Sequence, residues 1–220
     1  MDFKRITLLC GHYGSGKTNV AINMAFLIRK CYNNVAIADL DIVNPYFRTK
    51  DSKQDLENGG IKLICSEYAG TNVDIPALPQ DMYSLTDNKD IRAVIDVGGD
   101  DRGALALGRI APSIIEENDY ECLLVINKFR PLTPDAESTV EVMKEIETAG
   151  KIKFTGIVNN SNLGEETTAE DVLSSLQYAE DVARLTGLPV KCTSITNKLY
   201  TELKGKIENL LPLTLQAKIN

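Results

Sequence analysis

Eight consecutive residues, Gly11, His12, Tyr13, Gly14, Ser15, Gly16, Lys17 and Thr18, fit the pattern G-x-x-x-x-G-K-[ST]. The glycines let the backbone curl until several N–H groups point inward. A helix N-terminus behind them adds its partial positive charge, and together they make a concave anion site. Lys17 supplies a point charge for β- and γ-phosphates, and Thr18 offers its hydroxyl to Mg2+. The pattern follows an apolar run, Ile6 to Cys10, and opens a segment with Val20, Ala21, Met24, Leu27 and Ile28 at helical spacing. That strand–loop–helix context is what the mechanism requires, so residues 11 to 18 are expected to bind a nucleotide.

A phosphate cradle needs carboxylates for its metal and its water. Asp39 and Asp41 end the second apolar run. Residues two apart on an extended chain point the same way, so both face the strand ends where ligands of open α/β sheets lie. One can hold Mg2+ and the other can orient an attacking water or a substrate hydroxyl. Asp96 ends the run Ala93-Val94-Ile95 and begins Asp96-Val97-Gly98-Gly99. An acidic residue at the end of a buried strand reaches Mg2+, and the last glycine N–H of D-x-x-G can meet a γ-phosphate. The expected metal set is Thr18, Asp39 and Asp96.

Base selection points to adenine. Asn127-Lys128-Phe129-Arg130 stands where a guanine reader would have N-K-x-D. Arg130 replaces the aspartate, and a guanidinium has no acceptor for the guanine imino and amino hydrogens. Asn159 and Asn160, at another strand end, offer carboxamides that suit adenine, or form a plain Asn-rich turn. The expected cofactors are therefore ATP and Mg2+.

These groups need a frame. Further apolar runs of strand length occur at Ile61 to Cys65, Arg92 to Val97, Glu121 to Asn127, Phe154 to Asn159 and Val190 to Ile195. Helical patterns separate them: Asp51 to Asn58, Leu105 to Ile115, one starting at Thr133-Pro134, one with Thr167 and Glu170 as a capping box, and one from Leu199 to Leu210. Pro79 to Leu85 is a further helix inside the long stretch Ser66 to Asp90. Continuous apolar strands alternating with helices predict a parallel sheet covered on both faces, an α/β fold. The 220 residues read as a single nucleotide-binding domain spanning 1–220.

Composition narrows the classes. The net charge of −7 disfavours nucleic-acid binding, and no apolar run approaches the ~18 residues of a membrane span. No secretory signal is recognisable after Met1 to Ile6, which suggests a cytoplasmic protein. Cys10, Cys31, Cys65, Cys122 and Cys192 are widely spaced and read as reduced thiols, and His12 is the lone histidine.

The loop, the Asp39-Leu40-Asp41 element, the Val94-Ile95-Asp96 strand end and the strand-six asparagine together resemble the MinD/ParA branch of P-loop ATPases, in the SIMIBI class. Dethiobiotin synthetase, the nitrogenase iron protein and the nucleotide-binding domain of cobyrinic acid diamide synthase belong to the same group. The resemblance implies a three-layer P-loop NTPase fold with about seven strands in the order 3-2-4-1-5-6-7. It also implies Mg-ATP held by Lys17 and Thr18, with Lys17 and Asp41 catalytic and Asp41 orienting water. Departures are informative. His12 stands where MinD and ParA carry a second lysine that reaches across an ATP-sandwiched dimer. The residues 210 to 220 carry one lysine and Pro212, unlike a basic membrane helix. The expectation is a nucleotide switch read by a second subunit or an unidentified protein partner. The alternatives are an ATP-dependent small-molecule kinase of the dethiobiotin synthetase type and a binding module without turnover. In Asn44-Pro45-Tyr46-Phe47-Arg48, Arg48 is a candidate for the missing cation, with Arg102 and Arg130 as rivals.

Overall fold

The structure is a computed structural model that describes residues 3–40, 52–65, 80–99 and 101–215, without the side chains of residues 80, 101 and 102. Asp41, the segment from Asn44 to Arg48 and most of the stretch beginning at Ser66 lie outside the described residues.

Among the described residues, eight parallel strands form one sheet in the order β3-β2-β4-β1-β5-β6-β7-β8. They are β1 (Ile6–Cys10), β2 (Val35–Asp39), β3 (Ile61–Cys65), β4 (Arg92–Asp96), β5 (Tyr120–Ile126), β6 (Gly156–Asn159), β7 (Val190–Thr196) and β8 (Leu210–Leu213). The helices between them are α1 (Lys17–Cys31), α2 (Lys53–Asn58), α3 (Gln80–Asp87), α4 (Asp101–Glu117), α5 (Ala136–Gly150), α6 (Ala169–Ser174), α7 (Leu176–Thr186) and the single turn α8 (Tyr200–Leu203).

Strand alternation divides the core in two. Leu8 and Cys10 join Ile95, Leu124, Met82 of α3, Ile110 of α4, Met143 of α5 and Val182 of α7 on one face. Leu9, Val94 and Val125 point the other way, onto Val20, Met24 and Ile28 of α1 and Leu56 of α2. Every strand of the centre is therefore apolar on both sides, which is why the runs are continuous rather than alternating. At roughly 1.5–3 kcal/mol for each fully buried large aliphatic side chain, these two layers are the main force holding the sheet.

The first seven strands take the order expected from the resemblance, and β8 extends it. The expected helix from Leu199 to Leu210 is overturned. Its apolar residues do cluster, with Leu199 and Leu203 packing on Val172 and Ile195. However, Gly205 (φ 85°) and Asn209 (φ 54°) turn the backbone out of helix, and Leu210 to Leu213 pairs with β7 as an edge strand. An edge tolerates Pro212, which has no N–H to donate to a further neighbour. Several helix bounds also differ from the sequence reading. Asp135, not Thr133-Pro134, caps α5, its carboxylate accepting from Ser138 N at 2.9 Å. The capping box is Thr168 with Asp171, one residue on from Thr167 and Glu170. The helix that follows is two, α6 and α7, separated at Ser175.

Candidate functional site

The loop from Gly11 to Gly16 joins β1 to α1 at the C-terminal edge of the sheet. Gly14 and Gly16 have φ of 78° and 85°, a region that costs other residues a steric penalty. Gly16 is the residue before the first turn of α1, so the helix N-terminus opens directly into the cradle. Lys17 is 5 % exposed, and its Nζ donates to His12 O at 3.2 Å across the loop. That bond keeps the ammonium at the mouth of the cradle, in reach of an oxyanion that outbids a neutral carbonyl. The hydroxyl of Ser15 is buried without a hydrogen-bond partner, and Thr18 is buried in the first turn of α1. His12 turns its Nδ1 to Tyr13 O at 2.8 Å, and Tyr13 stands half exposed on the crest.

β4 lies beside β1, with Leu9 paired to Asp96, and β2 lies beside β4, with Asp39 paired to Asp96. Both carboxylates are buried at strand ends. Leu40 N donates to Asp96 O at 2.8 Å and Val97 N to Leu9 O at 3.0 Å, so the strand exits are tied to one another. Beyond them Gly99 presses on the loop. A Cβ there would stand 2.5 Å from Tyr13 N and 2.9 Å from Lys17 Nζ. Thr18, Asp39 and Asp96 thus offer only oxygen, the hard donor set that suits Mg2+.

On the opposite flank, Asn160 braces the cradle. Its Nδ2 donates to Ser15 O at 2.6 Å, and its Oδ1 accepts from Ser194 Oγ of β7. A Cβ on Gly16 would overlap that same carboxamide nitrogen. Asn159 Nδ2 donates to Ser175 Oγ at 2.9 Å, and its Oδ1 accepts from Ser161 N at 3.2 Å. Both carboxamides are fully buried and engaged within the protein, so reading a base through them requires a change of partners. Two supports were not expected to act as braces. Asn127 is buried and accepts at Oδ1 from Phe129 N (3.0 Å) and Asn162 N (3.3 Å), which joins the exits of β5 and β6. Ser194 is the other, legible only as a polar residue inside an apolar run. Behind the loop, a hydrogen bond from the Cys122 thiol to Cys10, with burial, pushes that thiol well above its ordinary range, so it stays protonated.

The profile of the CobQ/CobB/MinD/ParA nucleotide binding domain matches residues 6–190. A search of curated protein sequences finds no match. Among solved structures, the cell division protein FtsY of Thermotoga maritima superposes with a TM-score of 0.57 at 21% identity, over 89% of this chain and 62% of that one. FtsY of Mycoplasma mycoides gives 0.53 at 20% identity, over 86% and 60%. The signal recognition particle 54 kDa protein of Aeropyrum pernix, solved with GDP, gives 0.54 at 19% identity, over 87% and 41%. The chain spans less than two thirds of the length of these three, and the likeness establishes the fold. No helix among the described residues is long and apolar enough to cross a membrane.

Proposed function

The chain belongs to the CobQ/CobB/MinD/ParA nucleotide-binding domain family, and from that premise we propose that it is a Mg2+-dependent ATPase working as a nucleotide switch. The observation that carries this is the convergence of Lys17 Nζ, Gly99 and the paired Asp39 and Asp96 on one side of the glycine loop. A γ-phosphate seated there meets the ammonium, the loop amides and the exit of β4 together, so its loss releases the Asp96 to Gly99 segment and with it α4. Thr18, Asp39 and Asp96 would hold Mg2+, which would supply charge neutralisation to the phosphates. Asp41, two residues past Asp39, is assigned the orientation of the attacking water. Adenine is favoured over guanine because Arg130 stands where an acceptor is needed. A second copy or another protein is the reader of the switch. The bonding of His12 to its own loop favours one further reading, phosphoryl transfer to a small molecule, which needs no cation reaching across a dimer.

Isothermal titration of the chain with Mg2+ and ADP, ATP, GDP or GTP tests the assignment. Adenine nucleotides are expected to bind, guanine nucleotides at least tenfold more weakly, and Lys17→Ala to lose ATP. Unaltered ATP affinity in Lys17→Ala refutes the role of the loop. Turnover that rises with protein concentration supports the switch, and ATP use that appears only with an added metabolite replaces it with the kinase.

A further inference from the structure

We propose that Arg130 is a second phosphate-binding cation of this site, serving the nucleoside-proximal end of the phosphate chain as Lys17 serves the terminal end. The inference rests on the reading of the loop as a nucleotide site. β1 has β4 on one side and β5 on the other. Lys17 Nζ, Gly99 and the carboxylates occupy the β4 side. Arg130 leaves the end of β5 and lies against the other branch of the loop: its Nε, Cδ and Cζ are 3.5, 3.6 and 3.7 Å from where a Gly14 Cβ would stand.

The backbone that carries it is tightly held. Asn127 O accepts from Arg130 N at 3.2 Å and from Thr133 Oγ1 at 3.1 Å, and Arg130 O accepts from Thr133 N at 3.1 Å. The side chain has no comparable partner. Its Nε is buried with no hydrogen bond, and no described carboxylate pairs with the guanidinium. A permanently charged group half-buried against the glycine loop calls for an anionic partner. With Lys17 Nζ and the Asp39–Asp96 pair on the β4 side, where β- and γ-phosphates would be held, the oxygens that would face Arg130 are those nearer the nucleoside. A phosphate oxygen also gives a guanidinium an acceptor, which stacking on a base does not. The same substitution that removes guanine reading thus adds a cation to the cradle.

Displacement of a fluorescent ADP from the full chain tests this with Arg130→Met, which keeps the aliphatic contact with Gly14, and Arg130→Lys, which keeps the charge. Arg130→Met is expected to weaken ADP and ATP alike by about 10- to 100-fold, and Arg130→Lys by less than about fivefold. Wild-type ADP affinity in Arg130→Met, or equal loss in both variants, overturns the proposal while leaving the nucleotide site intact. Failure of the wild-type chain to bind any nucleotide overturns the site itself. In the unsubstituted protein, ADP is expected to slow modification of Arg130 by phenylglyoxal at least fivefold, measured by peptide mass mapping; an unchanged rate overturns the proposal without recourse to a variant.

Discussion

Asp39 and Asp96 stand directly opposite one another, the last residues of adjacent parallel strands. A cation shared between two adjacent buried carboxylates lowers their mutual repulsion. Binding of Mg2+ with nucleotide therefore stabilises the folded chain by mass action. Asp96→Asn removes one of the two charges without changing size. Mg2+ is expected to raise the melting temperature of the ADP-bound wild type over that in EDTA by several degrees, and Asp96→Asn to lose most of this increment. An equal increment in the variant removes Asp96 from the metal site.

Asn160 ties β6 to the phosphate loop, and its removal takes the carboxamide donor from Ser15 O and leaves Ser194 Oγ only its longer bond to Asn159 O at 3.3 Å. Loss of a buried hydrogen-bonded group of this kind costs roughly 1–3 kcal/mol. Denaturant unfolding of Asn160→Ala is expected to show a loss in that range, with nucleotide affinity down at least tenfold because the loop is no longer braced. Ser194→Ala should cost less, and the double variant less than the sum of the two. Additive losses would mean that the two side chains do not act through one another.

The nearness of Gly99 to the loop gives a different signature. A methyl group at position 99 has backbone, not a yielding side chain, within 2.8 Å at Tyr13. Either the β4 exit or the loop must move. Gly99→Ala is expected to weaken ATP more than ADP, since the displaced segment faces the terminal phosphate, at a stability cost of about 1–3 kcal/mol. Equal effects on the two nucleotides would place Gly99 away from the γ-phosphate.

Much of this was legible in the residues themselves, for physical reasons. Central strands such as Leu8 to Cys10 and Ala93 to Ile95 are buried on both faces, so they appear as unbroken apolar runs. The phosphate loop announces itself because its glycines, lysine and threonine act within eight residues. What did not show depends on distance in sequence. The Asn160 bond to Ser15 spans 145 positions, and nothing near Asn160 hints that a loop carbonyl is its partner. The Arg130 contact with Gly14 is of the same kind. β8 escaped because Leu199, Leu203, Ile207 and Leu210 carry helical spacing although they only coat a satellite cluster, and Pro212 disguised an edge strand. Ser175 is fully buried where α6 gives way to α7, and a single polar residue in a periodic stripe carries no sign of that break.

Far from the loop, at the N-terminal end of β1, Arg5 donates to both oxygens of Glu117 and to the carbonyls of Leu85 and Ile91, each at 2.9 Å. It thereby pins the end of α4 to the α3–β4 connection. The Arg5 hydrogen bond holds the Glu117 carboxyl below its usual 4.5 against the opposing pull of burial, with Lys89 helping from the surface at 2.6 Å. A depressed carboxylate contributes stability above its unfolded pKa and loses it as pH falls through the folded one. Glu117→Gln leaves a guanidinium 4 % exposed without its counter-charge and should cost roughly 3 kcal/mol at pH 7. Lys89→Ala, at the solvent side, should cost less than ~1 kcal/mol. The gap between wild type and Glu117→Gln is expected to be full near neutrality and to shrink only below about pH 4.5. Nucleotide affinity at pH 7 should be the same in both, because the pair lies at the opposite edge of the sheet from the phosphate loop. A gap that is constant from pH 7 to pH 3 would show that the stabilisation comes from packing and not from the charge on Glu117.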